Sequence, residues 1–322
     1  MTSAGATQDL AIDASGLTRR FGDFVAVNDL TLRVQRGEVY GLLGPNGSGK
    51  TTTMRMLCGV LPPSGGAARV LGVDVTREPD AVKRRIGYMA QRAGLYEDLT
   101  VREHLEFYAQ LYGLGGTARR EVVARAMAGL GLEARAGTLA GHLPGGLRQR
   151  LAFGCAAVHR PALLFLDEPT AGMDPAARRA FWQDLRELSL DGTSVLVTTH
   201  LMPEAEHCDH LAIMHRGSVV AAGAPGALRG SLRNPLLGVD TDAPHATLDV
   251  LEPLPWVAEV ALFGTLVHVL VAPDVTLEAA QQGVLGALRE ASIAVREVAS
   301  VQPSLEDVFF AAAGAPSRAP SA

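Results

Sequence analysis

Residues Gly44-Pro-Asn-Gly-Ser-Gly-Lys50-Thr51 fit the spacing GxxxxGK[ST]. The apolar run Val39–Leu43 before them predicts a buried strand, and Thr51–Leu57 after them predicts a helix. A strand turning through glycines into a helix is the setting in which such a loop cradles phosphate. Glycine frees the backbone to point N–H groups inward, and the helix N-terminus adds partial positive charge at the same place. Lys50 brings a mobile point charge, and the Thr51 hydroxyl is a hard oxygen suited to Mg²⁺. Lys50 and Lys83 are the only lysines among 29 basic residues, so an ammonium here suggests that the rigid fork of arginine would not fit. The alternative is a chance glycine-rich loop, against which the strand–helix context argues. Gly44, Pro45, Asn46, Gly47, Ser48, Gly49, Lys50, Thr51 and Thr52 are the candidate phosphate-binding residues.

A second run, Leu163-Leu-Phe-Leu-Asp167-Glu168, is an apolar strand ending in two acids. Alone it is a weak signal. Beside a phosphate loop, it places Asp167 as an organiser of Mg²⁺ and Glu168 as a base for an attacking water. Neighbouring residues on a strand face opposite sides, which predicts separate jobs for the two acids.

At 322 residues the chain has the length of about two domains. Its 48% hydrophobic and 20% charged residues suit an ordinary globular protein. Up to about Gly230, apolar strands (Val39–Leu43, Leu163–Leu166, Ser194–Thr198) alternate with helical stretches, which predicts an α/β domain over residues 9–230. Thr100 and Glu103 form a capping box for a helix reaching Gly113, with Val101, Leu105, Tyr108 and Tyr112 at helical spacing. Arg119–Leu130 predicts a second helix, and another follows Leu143, so residues from about 95 to 160 read as a helical insert.

Beyond Gly230 the order strand (Leu236–Val239), helix (around His245–Leu251), strands (Trp256–Phe263 and Thr265–Val271), helix (Thr276–Glu290) and strand (Ile293–Ser300) predicts a small α+β domain over residues 231–312. This is the ferredoxin-like β-α-β-β-α-β order. Ser304 is placed to cap a last helix, Leu305–Ala312. Residues 1–8 and 313–322 read as low-complexity, disordered tails.

The net charge of −5 offers no electrostatic attraction for nucleic acid. Three cysteines without a CxxC pair suit a reducing compartment. The stretch Trp256–Pro273 nears membrane-spanning length, but Glu259, His268 and a central Phe-Gly-Thr break make it a hairpin. The expectation is a soluble protein whose membrane role, if any, comes through a partner.

Over residues 10 to 230 the sequence resembles the ATP-binding subunits of ABC transporters, whose motifs occur here in the family's order. Gln91 in Tyr88-Met-Ala-Gln91 matches the glutamine loop, and Leu143-Pro-Gly-Gly-Leu-Arg-Gln-Arg150 matches the signature. Asp167 and Glu168 match the Walker B acids, Ala171-Gly-Met-Asp174 the D-loop, and Thr199-His200 the switch histidine. The ending Pro303-Ser-Leu-Glu-Asp-Val-Phe309, with the small domain before it, is similar to the multidrug and antibiotic exporters of the daunorubicin-resistance, ABC-2 type group.

The resemblance implies a P-loop NTPase cassette with a helical subdomain, followed by the small domain. It implies ATP and Mg²⁺ as cofactors, with Glu168, His200 and Gln91 catalytic and Thr51, Gln91 and Asp167 at the metal. Gly145, Gly146 and Asp174 are expected at the nucleotide, the signature acting on the opposite subunit's ATP. Phe21 sits where the family stacks adenine, with core packing as the other reading. The implied partners are an integral membrane permease and a second cassette, identical or paralogous. The implied place is the cytoplasm, peripheral on the inner face of the cell membrane, with membrane contact only through the permease and no nucleic acid.

One departure stands out. Pro144 replaces the signature serine and removes both a hydroxyl and an N–H, while proline suits the first position of a helix. That keeps open a degenerate or regulatory cassette in a heterodimer. A soluble non-transport ABC ATPase is the other rival, and it usually carries two cassettes or a long coiled coil. His207, Cys208, His210 and His215 lack zinc spacing and read as a helix-to-strand junction.

Overall fold

The computed structural model describes residues 10–91 and 94–314. They fall into two compact units that divide between Ala222 and Gly223.

In the first unit the elements run β1 (Leu10–Phe21), β2 (Phe24–Gln35), β3 (Val39–Leu43), α1 (Lys50–Leu57), β4 (Gly65–Val70), β5 (Val73–Asp74), α2 (Pro79–Lys83) and β6 (Ile86–Met89). Then come α3 (Val101–Leu111), α4 (Gly116–Leu130), α5 (Gly145–Ala157), β7 (Leu163–Asp167), α6 (Pro175–Leu190), β8 (Ser194–Thr199), α7 (Met202–Ala205), β9 (His210–His215) and β10 (Ser218–Gly223).

Six strands form the central sheet in the order β10-β9-β3-β8-β7-β6, with β3, β6, β7, β8 and β9 paired in parallel. The inner strands β3, β7 and β8 are buried at every position because both faces of the sheet are covered there. The pleat divides them: Leu163, Phe165 and Leu196 pack with β1, β2 and α1, while Leu164, Leu166, Val195 and Val197 pack with α3 to α6. The sequence reading did not foresee the second sheet, of order β2-β1-β4-β5, built on the antiparallel pairing of β1 with both β2 and β4. The expected helical insert is α3, α4 and α5, and Thr100 and Glu103 close the capping box that starts α3.

The second unit contains α8 (Pro225–Ser231), β11 (Leu236–Thr241), α9 (Pro244–Leu251), β12 (Val257–Phe263), β13 (Leu266–Val271), α10 (Leu277–Glu290), β14 (Val295–Ser300) and α11 (Leu305–Gly314). The sheet order β12-β13-β11-β14, all antiparallel, is the split βαβ arrangement. The expected boundary near Gly230 differs from the observed division because α8 packs against α11. The helix α11 also runs to Gly314, so residues 313 and 314 are helical rather than tail. The remaining tail residues, 1–8 and 315–322, lie outside the described residues. Trp256–Pro273 is the hairpin β12–β13, turning between Phe263 and Leu266.

Candidate active site

The strand β3 delivers the chain to Gly44, where a side chain would overlap the Met214 carbonyl. At Gly49, which caps α1 at φ 104°, a Cβ would lie 2.7 Å from Ala26 O. Glycine is required at both positions by close approach and by a left-handed backbone. No side chain caps α1, so its first N–H groups keep no intrahelical acceptor. Ser48 Oγ is buried without a hydrogen-bond partner among the described residues.

Lys50 is 4% exposed. Its ammonium donates to Gly44 O (2.7 Å) and Pro45 O (3.1 Å) and lies 3.7 Å from Glu168 Oε1. Burial lowers its pKa, and Glu168 and Asp167 oppose that only in part.

Asp167 ends β7. Its Oδ1 accepts from Thr51 Oγ1 (3.1 Å) and Thr198 Oγ1 (2.6 Å), joining the phosphate loop to β8. Glu168 follows at φ 49°, a left-handed conformation that a non-glycine residue adopts only when its surroundings hold it. Its N–H is held by Thr198, through O at 3.2 Å and Oγ1 at 2.9 Å. The two acids therefore part company through this turn, not through strand alternation as the sequence suggested. Glu168 Oε2 accepts from Gln91 Nε2 at 2.9 Å and lies 3.4 Å from His200 Nδ1. Groups from three separate segments, Lys50, Gln91 and His200, thus meet at one carboxylate.

A cleft of about 310 Å³ opens over this cluster. Asn46, Gly47, Gly49, Lys50, Thr51 and Thr52 line one side, and Gln91 and Glu168 another. Phe24 and Ala26, which the sequence reading missed, complete it. Phe21 pairs with Phe24 across the hairpin turn and is 47% exposed, which removes core packing as its role. Its ring lies 4.6 Å from the Arg19 guanidinium. Thr198 was also missed; only the pairing of Asp167 with Thr198 across β7 and β8 reveals it.

Other expected residues stand apart from the cleft. Asp174 is exposed and caps α6, accepting from Ala176 N and Ala177 N at 2.9 Å each. Gly145 and Gly146 open α5 and do not line the cleft. Pro144 is the N-cap of α5, one residue before the first helical position expected for it. In the histidine-rich stretch, His207 stacks on Trp182 and His210 Nδ1 lies 2.6 Å from Glu38 Oε1. Cys208 is buried beneath Gly41.

The donors fit the groups that the motifs imply. Free N–H groups, a buried ammonium and an orphaned hydroxyl suit phosphate oxygens. Thr51 Oγ1 and Asp167 Oδ1, already in contact, are the hard oxygens that Mg²⁺ prefers. A parallel sheet carrying a phosphate loop at one strand end and paired acids at another defines a P-loop protein that binds a nucleoside triphosphate.

Comparisons narrow the class. The family model described as ABC transporter matches residues 27–171. The chain is 44% identical over 233 residues to the probable multidrug ABC transporter ATP-binding protein YbhF of Escherichia coli K12, covering 72% of this chain and 40% of YbhF. It is 38% identical over 312 residues to the daunorubicin/doxorubicin resistance ATP-binding protein DrrA of Streptomyces peucetius, covering 95% of this chain and 93% of DrrA. Its fold matches the dimeric structure of MJ0796, a bacterial ABC transporter cassette, with TM-score 0.61 and 25% identity over 66% of this chain and 98% of that one. The chain belongs to the ABC transporter family, among its ATP-binding proteins.

Proposed function

We propose that the chain hydrolyses ATP between two paired cassettes and that this cycle drives export through a separate membrane permease. The convergence of Lys50, Gln91 and His200 on Glu168 carries the reading. Lys50 leaves the Gly44 and Pro45 carbonyls for the β and γ phosphates. Thr51 and Asp167, with Gln91, would hold Mg²⁺, whose charge would offset that developing on the phosphate oxygens. Glu168 takes a proton from the attacking water as its oxygen bonds to the γ phosphorus. The bond to the bridging oxygen breaks, and ADP and phosphate leave. His200 holds the γ phosphate. Phe21 and Phe24 offer the adenine two exposed rings on which to stack.

Gly145 and Gly146 do not reach this cleft within one chain, which supports a second cassette whose α5 completes it. Asp174 reaches nucleotide only across that pair. Among the described residues no helix is long and apolar enough to cross a membrane, and the reading assigns translocation to another subunit. Tyr96, Phe107 and Leu111, exposed at 55%, 43% and 65%, offer the permease an apolar surface on the helical insert. The cassette works in the cytoplasm against the inner face of the membrane. Its cargo is of the drug class that the relatives' names state for those proteins. Residues 231–312 carry no phosphate or metal motif and serve assembly.

Glu168→Gln keeps size and hydrogen bonding but removes the base. It is expected to retain ATP affinity and lose at least about a hundredfold in turnover, measured on the purified chain and again with its permease. Near-wild-type turnover in both would remove Glu168 from the chemistry.

A further inference from the structure

Glu204 is a carboxylate that the proposed chemistry does not use, and it is 2% exposed. It lies on α7, four residues beyond the switch histidine. Its two oxygens are divided between different parts of the molecule. Oε2 accepts from Thr199 Oγ1 at 2.7 Å, and Oε1 accepts from Thr170 Oγ1 at 2.5 Å. The Arg178 guanidinium, on α6, forms an ion pair with Oε1, its Nε at 3.2 Å but outside hydrogen-bond geometry. Both threonines are themselves 2% exposed.

Each partner leads to a functional segment. Thr199 precedes His200, and its hydroxyl also accepts the N–H of Leu201 at 3.0 Å, so the peptides on both sides of His200 are tied to it. Thr170 follows Glu168 by two residues, and its carbonyl accepts from Met173 N at 3.0 Å, closing the loop that leads to Asp174. Arg178 stands one helical turn after Asp174 and donates its N–H to the Asp174 carbonyl at 2.9 Å. A buried carboxylate needs such donors, and when satisfied it fixes them rigidly relative to one another.

We infer that Glu204 is a positioning residue that locks the His200 loop to the Asp174 loop, setting His200 against Glu168. The inference rests on the hydrolytic reading above. Glu204 is buried and does not line the cleft. It acts by holding Thr199, Thr170 and Arg178 in one arrangement, so that the switch histidine and the start of α6 move together.

The test is Glu204→Gln in the full chain, which keeps the shape but presents one acceptor oxygen and no charge. Turnover is expected to fall about tenfold with the KM for ATP changed by no more than about twofold, because orientation is lost and binding is not. Independently of hydrolysis, the His200 ring resonances of the nucleotide-free protein, identified by their absence in His200→Ala, are expected to move. Should Glu204→Gln melt below the assay temperature, Thr199→Val, similar in shape and lacking one donor, carries the same two measurements. Unchanged turnover well below the melting temperature, or an unmoved His200 resonance, would overturn the inference. If the wild-type chain itself hydrolyses no ATP, the functional reading fails, and the His200 resonance alone decides the role of Glu204.

Discussion

In the proposed pairing of cassettes, Pro144 bears on the partner's nucleotide and not on this chain's own cleft. As the N-cap of α5 it holds φ −55° and ψ 150°, a conformation that serine also adopts there, and α5 has neither a side-chain cap nor an acid in its first turn. Pro144→Ser would gain about 1 kcal/mol as a cap and lose about 0.4–1 kcal/mol through a freer unfolded chain. Stability should therefore barely move, so a change in hydrolysis reads out the composite site. Restoring one hydrogen bond to a charged phosphate predicts a gain of the order of tenfold in turnover of the lone chain. No gain would show that Gly145 and Gly146 suffice as donors. At this scale the sequence was most legible where chemistry needs a fixed run, as in Gly44–Thr51 and Asp167-Glu168. It was silent on Thr198, Phe24 and Glu204, whose roles come from strands and loops brought together only by folding. The left-handed turn at Glu168 was silent too, since nothing about a glutamate signals it.

Among the elements, the approach of β6 to α5 is the tightest constraint on the signature helix. A Cβ at Gly87 would overlap the Ala156 carbonyl, and Gly87 is buried. Gly87→Ala must push α5 off the sheet, at a cost of about 1–3 kcal/mol, to be read from the urea midpoint. A wild-type midpoint would mean that α5 yields freely. Helices with capping signals were readable in sequence: Thr100 with Glu103, and Ser304, whose hydroxyl accepts from Asp307 N while Asp307 accepts in return. The sheet β2-β1-β4-β5 was not, because strands such as Gly65–Val70 carry little apolar periodicity and are defined by their neighbours.

For the molecule as a whole, two compact units imply two unfolding transitions rather than one. Asp307 gives a handle on the second. Burial raises its pKa, but hydrogen bonds from His268 (2.9 Å) and Ser304 outweigh burial and hold the carboxyl below its usual value. A group depressed in the folded state adds stability above its unfolded pKa of about 3.9, and loses it as pH falls through the folded value. Asp307→Asn should lower one transition at pH 7 and leave the other in place, with the gap to wild type narrowing below about pH 4 in calorimetry. An equal gap at both pH values would remove the pair as its source. Finally, the scarcity of lysine turns the phosphate loop into its own reporter. Apart from the α-amino group, only Lys83, exposed and paired with Asp80, competes with Lys50 for an amine-directed label. Burial favours the neutral, nucleophilic form of Lys50. An acyl-phosphate analogue of ATP would therefore mark occupancy of this one pocket, and protection by nucleotide could be followed by mass alone, without a engineered tag or a turnover assay.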